Sequence, residues 1–190
     1  MRIISQNILN YNFPVTDDYI LRINLAWCNS IIELESILNK HKNFKIFVDL
    51  PIKRIKPPNN KYSINDIAPI IHKNDNVKYF AISNVESGDD LNEYLEKLPK
   101  DITLVPKIES PKAVLNIENI VDKLPNKQKC LMLDHDDLYS NLIKRNESPE
   151  SFKEYLSKLS NFCEKNNIIL LRTVGVIFSN DEKRNSEYIN

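Results

Sequence analysis

Lys107 and Glu109 are the two residues whose types and spacing most directly suggest chemistry. They stand two positions apart, so their side chains share one face of a strand. The β-prone residues before them predict a strand, and Ser110-Pro111 after them is typical of a helix N-terminus. A cation and an anion at the carboxyl end of such a strand lie where α/β proteins place their catalytic groups. The alternative is an ordinary surface ion pair without a chemical role.

Other polar residues follow apolar segments elsewhere in the chain in the same way. The carboxyl ends of parallel strands meet at one rim, so we expect these residues to gather there. Two carboxylates, water and a substrate oxygen suit Mg²⁺ or Mn²⁺, and basic side chains suit a phosphate, a carboxylate or an enolate. The prediction depends on the whole set, because any single member is more often structural. The residues of this predicted rim are Arg22, Asn24, Asp49, Ser83, Lys107, Glu109, Asp136, Asp137 and Thr173.

Strand-like and helix-like patterns alternate along the chain every ~25–30 residues, which is the size of a βαβ step. Alternation of this kind predicts a parallel sheet with helices outside it. No linker divides the chain, so we expect one α/β unit, a TIM-like (β/α) barrel over residues 1–178, with a polar tail at 179–190. The barrel is expected to be truncated or incomplete, and an open doubly wound sheet is the alternative. The predicted strands are 2–9, 19–25, 44–50, 77–83, 102–109, 129–133 and 168–178.

Composition limits the classes of function that the chain can have. Its 190 residues favour a single domain, and its 26 basic and 26 acidic residues give no overall attraction to nucleic acid or an anionic membrane. Three cysteines without metal-ligand spacing indicate a reducing compartment. No apolar run is long enough to span a membrane, and no signal-peptide pattern is evident. We therefore predict a soluble, cytoplasmic protein. The two glycines argue against dinucleotide and P-loop sites, which need glycine-rich loops.

Several short segments occur in an order that is found in one enzyme family. They are Arg-Ile-Asn at 22–24, Asp-Leu-Pro at 49–51, Ala-Ile-Ser at 81–83, Lys-Ile-Glu at 107–109, and the segment 132–138. This order resembles the catalytic barrel of pyruvate kinase, within the wider phosphoenolpyruvate/pyruvate barrel superfamily that includes citrate-lyase-like aldolases. The resemblance implies a divalent-metal enzyme that acts on phosphoenolpyruvate or a 2-oxo acid through a metal-stabilised enolate.

The resemblance also implies roles for individual residues. Glu109 and Asp137 would hold the divalent metal, and Lys107 would stabilise the enolate or a transferring phosphoryl group. Arg22 would contact the phosphate, and Thr173 would lie near the substrate and its proton-transfer path. The remaining residues of the rim, Asn24, Asp49, Ser83 and Asp136, are expected to bind the small carboxylate or phosphate substrate.

The chain also departs from the family pattern. The lid that covers the nucleotide in pyruvate kinase is replaced by a short loop at 56–60, so lyase or aldolase chemistry is expected rather than phosphorylation of ADP. Asp136 stands where the family has glycine, which adds negative charge beside the expected anion. The alternative function is a catalytically degenerate barrel that binds a ligand or a partner. Such a barrel would self-associate as a homo-oligomer to cover its open sheet edges.

Overall fold

A computed structural model describes residues 2–5, 19–53, 58, 60–177 and 184–189. Eight strands alternate with helices over most of this part of the chain. The strands are β1 (Arg2–Ser5), β2 (Tyr19–Asn24), β3 (Lys45–Leu50), β4 (Val77–Ile82), β5 (Thr103–Ile108), β6 (Cys130–Leu133), β7 (Ile169–Ile177) and β8 (Arg184–Ile189). The α-helices are α1 (Ile31–Lys40), α2 (Ile64–Ile71), α3 (Asn92–Lys97), α4 (Pro111–Leu115), α5 (Ile117–Asp122), α6 (His135–Lys144) and α7 (Ser151–Lys165).

The strands form one curled sheet in which their spatial order is the same as their order in the chain. Its core is the six-stranded parallel run from β2 to β7. The short β1 extends the sheet beside β2 in parallel, and β8 pairs with β7 in the antiparallel direction. The predicted α/β fold with a parallel sheet is therefore confirmed. The doubly wound alternative is wrong, because that fold reverses its strand order partway across the sheet.

Short polar residues set the start of three helices. The Ser30 side chain accepts a hydrogen bond from the backbone N–H of Glu33 at the start of α1. Ser63 and Asp66 form a capping box at α2, and Ser110 caps α4 by accepting from Ala113 N–H. These side chains satisfy backbone donors that have no partner inside the helix. The sequence predicted the helix start at Ser110.

The two faces of the sheet bury different groups of side chains. The larger apolar cluster lies between the sheet and the helices and joins strand residues such as Phe80 to helix residues such as Ile67. The smaller cluster is made of strand residues alone, including Phe47, Val105 and Met132, on the face opposite the helices. We call this second face the inner face. Burial on both faces explains the nearly continuous apolar runs of the strands.

The structure departs from the sequence prediction in three elements. The polar segment after β6 is the first turn of α6, and Asp134 is its N-cap. The helix expected after Ser110 is divided at Asn116, which ends α4 and precedes α5. Strand β8 lies within 179–190, where the polar pattern predicted a tail. The predicted residues 6–9 of the first strand and residue 178 of the last lie outside the described residues, and the chain division at 178 stays a prediction.

Candidate functional site

The candidate site lies on the inner face of the sheet. Side chains two residues apart on a strand point to the same face, which relates the site residues to the inner apolar cluster. Lys107 follows Val105 by two residues on β5, and Asp49 follows Phe47 by two residues on β3. Val105 and Phe47 both belong to the apolar cluster of the inner face. The polar residues therefore form the next layer of the same face, one step toward the carboxyl ends of the strands. Ser83 stands in the same relation to Ala81, at the end of β4.

Lys107 is the centre of a buried ion-pair network. Its Nζ lies 2.7 Å from Glu109 Oε1 and 3.8 Å from Asp49 Oδ2. The same ammonium group donates a hydrogen bond of 3.1 Å to Ser83 Oγ. All four residues are almost wholly buried. Glu109 Oε1 accepts no well-angled hydrogen bond from the described residues, so we treat its close contact with Lys107 as an ion pair.

Arg22 extends this network to the neighbouring strand. Its Nε donates to Asp49 Oδ2 over 3.1 Å, and its Nη2 contacts the same oxygen. Asp49 therefore lies between two cations, Arg22 and Lys107. A buried carboxylate needs such partners, because burial of an unpaired charge costs several kcal/mol. The pairing places three of the predicted rim residues side by side.

The environment of Lys107 sets its charge. Burial by itself lowers the pKa of this ammonium group, but the charges of Asp49 and Glu109 outweigh burial and hold the pKa above its ordinary value. Lys107 is therefore cationic at neutral pH. A lysine in this state supplies positive charge to a site and does not act as an amine nucleophile.

A cluster of three carboxylates adjoins Lys107. One oxygen from each of Glu109, Asp134 and Asp137 lies within 4.8 Å of the others. Asp134 Oδ1 accepts from the backbone N–H of Asp137 at 3.2 Å, which fixes the start of α6. Glu109 Oε2 accepts from the backbone N–H of Asn84 at 2.7 Å. Oxygen ligands on opposite sides of one Mg²⁺ stand about 4 Å apart, so the spacing and the hard oxygen donors fit Mg²⁺ or Mn²⁺.

The titration of Glu109 reflects its burial. Burial raises the pKa of this carboxyl, although the Lys107 charge and the Asn84 N–H act in the opposite direction. The carboxyl is almost wholly buried, so its surroundings rather than bulk water decide its charge.

Asn24 and Asp136 lie outside this network, and for Thr173 the structure describes the backbone position alone. Asn24 uses its side-chain oxygen to accept from Ala26 N–H at 3.0 Å, which caps the short 3₁₀ turn after β2. Asp136 is exposed on the first turn of α6 and is not part of the carboxylate cluster. Thr173 lies on β7, in register with Tyr188 of β8. The network thus brings together Arg22, Asp49, Ser83, Lys107 and Glu109, with Asp137 beside them.

Asp134 is the residue of the carboxylate cluster that the sequence prediction missed. The segment after β6 contains Asp134, Asp136 and Asp137, and only the last two were expected at the rim. A helical period would have distinguished them, because positions 134 and 137 are three apart and face the same side of a helix start. The signal was the position of Asp134 directly before a helix, which is typical of an N-cap.

A cavity of about 130 Å³ opens beside the network. Its wall includes the buried Lys107 and Glu109, the half-buried Asp137, and two exposed lysines, Lys53 and Lys144. The cavity is smaller than the ~300–1,000 Å³ pockets that enclose drug-sized ligands. It has room for a small group, with the rest of a larger molecule outside.

No helix among the described residues has the length and apolar character that a membrane span requires.

The fold is similar to a known structure. The crystal structure of RipC from Yersinia pestis superposes with a TM-score of 0.59 at 17% sequence identity, over 85% of this chain and 72% of RipC. No protein-family model matches the sequence, and no curated protein matches it. A likeness at this level of identity concerns the fold alone.

These comparisons correct the family that the sequence suggested. The resemblance to pyruvate kinase and to the phosphoenolpyruvate/pyruvate barrel superfamily is wrong, because the fold is similar to that of RipC, which is not a pyruvate kinase, and no family model supports the assignment. The matching segments were three to seven residues long and stood at strand ends. Charged and small polar residues are common at strand ends of α/β proteins, so short matches there carry little information about ancestry.

Proposed function

We propose that this protein is a divalent-metal-dependent enzyme that acts on a small 2-oxo acid through a metal-stabilised enolate. Mg²⁺ or Mn²⁺ would be held by Glu109, Asp134 and Asp137. The observation that supports the proposal is the cluster of these three carboxylates beside the buried, cationic Lys107, with Lys107, Glu109 and Asp137 lining one cavity. Acidic clusters are common without a metal, and the adjoining buried cation is what distinguishes this one.

The bound metal would act as a Lewis acid that polarises the carbonyl of the substrate. Lys107 would stabilise the negative charge that develops on the carbonyl oxygen, and its burial makes that interaction strong. Ser83 accepts a hydrogen bond from Lys107 and holds the ammonium group in place. Arg22 balances the charge of Asp49, so that the network tolerates an added anion. Thr173 remains the proposed contributor to proton transfer.

The reaction class that fits these groups is cleavage or formation of a C–C bond, as in a lyase or an aldolase. The cationic state of Lys107 argues against a Schiff base, which needs a neutral amine. We also propose that the curled sheet is a truncated (β/α) barrel. The support for this is that β8 lies near β1 as well as beside β7, so the two ends of the sheet approach each other.

Metal binding is the first test. Mn²⁺ titration followed by electron paramagnetic resonance should give one bound ion per chain, with oxalate as an enolate mimic that binds only in its presence. Glu109→Gln and Asp137→Asn should each weaken Mn²⁺ binding about tenfold or more. Asp101→Asn is the matched control, because Asp101 pairs with Lys78 at the surface. Unchanged Mn²⁺ binding in both site variants would reject the site.

Proton exchange is the second test. The wild-type protein with Mn²⁺ should exchange the methyl protons of pyruvate for deuterium in D₂O, as followed by nuclear magnetic resonance. Lys107 should be needed for the exchange, because the enolate loses its second stabilising charge without it. If a Lys107→Met variant that folds and binds Mn²⁺ exchanged the methyl protons at the wild-type rate, this would contradict the role given to Lys107.

A non-catalytic binding protein is the second candidate. It is favoured by the self-contained character of the network, since Glu109 Oε1 contacts Lys107 and Oε2 accepts from Asn84 N–H. Trp27 and Ile32, which are 62% and 78% exposed, favour a partner or a second copy of the chain. Oxalate binding without proton exchange would support this candidate. Light scattering would test self-association, and a stable monomer would count against a homo-oligomer.

A further inference from the structure

We propose that the ligand of this cavity carries a second anionic group, and that Lys53 and Lys144 bind it at the cavity mouth. This inference rests on the proposed function for the inner end of the ligand, where the 2-oxo acid would lie. It adds the chemical class of the outer end, which is a carboxylate or a phosphate. Both lysines line the same cavity as Lys107 and Glu109.

Helix α6 connects the two ends of the cavity. Asp137, Asn141 and Lys144 all line it, and their spacing of four and then three residues places them on one face of the helix. Asp137 and Lys144 are seven residues apart, which is about 10 Å along the helix axis. A lysine side chain leans toward the N-terminus of its helix, so the Lys144 ammonium group reaches back toward the acidic end.

Lys53 lines the cavity from a second element, the loop after β3. Its backbone has φ 56°, a left-handed conformation that is costly for a residue with a side chain. The loop is held there by Asn84, whose Nδ2 donates to the carbonyl of Ile52 at 2.7 Å. Asn84 also binds Glu109 through its backbone N–H, so the position of the loop is tied to the carboxylate cluster.

The mouth and the inner end differ in charge. Lys107 is neutralised by Asp49 and Glu109, whereas Lys53 and Lys144 form no ion pair with any carboxylate of the described residues. The carboxylate of Asp90 interacts electrostatically with Lys53 without forming an ion pair. Its carboxylate is already bound to the backbone N–H groups of residues 86 and 87. The mouth therefore offers two cations to an incoming anion.

The test uses three 2-oxo acids whose main chains are six atoms long and that differ only in the group at the far end. They are 2-oxohexanoate with a neutral methyl end, 2-oxoadipate with a carboxylate, and 2-oxo-5-phosphonopentanoate with a phosphonate. Calorimetry measures the binding of each to the full chain with and without Mn²⁺. We expect at least one anionic acid to bind about tenfold or more tightly than 2-oxohexanoate. The comparison of 2-oxoadipate with the phosphonate shows whether the site prefers a carboxylate or a phosphate-like group.

Variants assign the preference to the two lysines. Lys53→Met and Lys144→Met should each reduce the preference, and the double variant should remove it. Lys73→Met, an exposed lysine after α2, should leave it unchanged. Both site lysines are exposed, so the variants are expected to fold, and circular dichroism checks this.

The outcomes separate this inference from the proposed function. Equal affinity for charged and neutral ends, or a preference that survives in the double variant, overturns the second anion site. A lysine-dependent preference without any Mn²⁺ binding retains the anion site and rejects the metal-dependent enzyme. A lysine-dependent preference together with Mn²⁺ binding supports both.

Discussion

Replacement of Lys107 by methionine should destabilise the protein by about 3–5 kcal/mol, the usual cost of removing one partner of a buried ion pair. At an effective dielectric constant of about 20, unit charges at the observed 2.7 Å and 3.8 Å attract by about 6 and about 4 kcal/mol. Most of this attraction offsets the cost of burying the charges. In the variant, Asp49 keeps Arg22 as a partner, but Glu109 keeps only the N–H of Asn84.

Urea unfolding at pH 7 measures the effect, with the free energy extrapolated to water. Lys78→Met is the control, because Lys78 pairs with Asp101 at the surface and such pairs contribute about 0–1 kcal/mol. The double variant Lys107→Met/Glu109→Gln should recover much of the loss, since it removes the buried unpaired charge. The reasoning would be refuted if Lys107→Met cost no more than Lys78→Met, or if the two substitutions in the double variant were additive.

Four further predictions concern buried groups that are not members of the network. Burial raises the pKa of Cys130 to about 12 and of Cys163 to about 11, so neither thiol should react with iodoacetamide at pH 8 until urea unfolds the chain. The unfolded thiols lose their protons nearer pH 9.0, so the urea midpoint should fall as pH rises above that value. Gly88→Ala should cost about 1–3 kcal/mol in urea unfolding, because its Cβ would stand 2.6 Å from the carbonyl oxygen of Asn119. Ser110→Ala should lower the melting temperature through a loss of about 1 kcal/mol at the α4 cap, and an unchanged value would contradict the capping role.

Much of the fold could be predicted from the sequence because strands and helices bury different patterns. The strands β3 and β5 are buried on both faces and mostly apolar, and the helix starts carry Ser or Asp at the position that needs an acceptor. Strand β8 could not be predicted in this way. Its segment, Arg184–Ile189, is mostly polar, and its pairing with β7 depends on backbone hydrogen bonds that every residue type except proline can form.

The candidate site was predicted only in part. Lys107, Glu109 and Asp49 were found because each follows an apolar run at the end of a strand. Asn24 was expected to bind substrate, but its side chain satisfies the backbone of the next turn, a local role that asparagine often takes. Asp134 was missed because the cluster is divided along the chain. Glu109 follows β5, whereas Asp134 and Asp137 stand at the start of α6, so no single segment contains all three residues.

The two-residue period of the strands explains why a polar network can exist in so apolar a sheet. On β3 and β5 the inner face changes from Phe47 to Asp49 and from Val105 to Lys107 within one step. The apolar layer excludes water below the network, so each charge must find a partner within the layer itself. Opposite charges on neighbouring strands meet that requirement, and the same exclusion of water strengthens their action on any anion that enters from the open side. The stability of the network and the chemistry proposed for it thus have one physical origin.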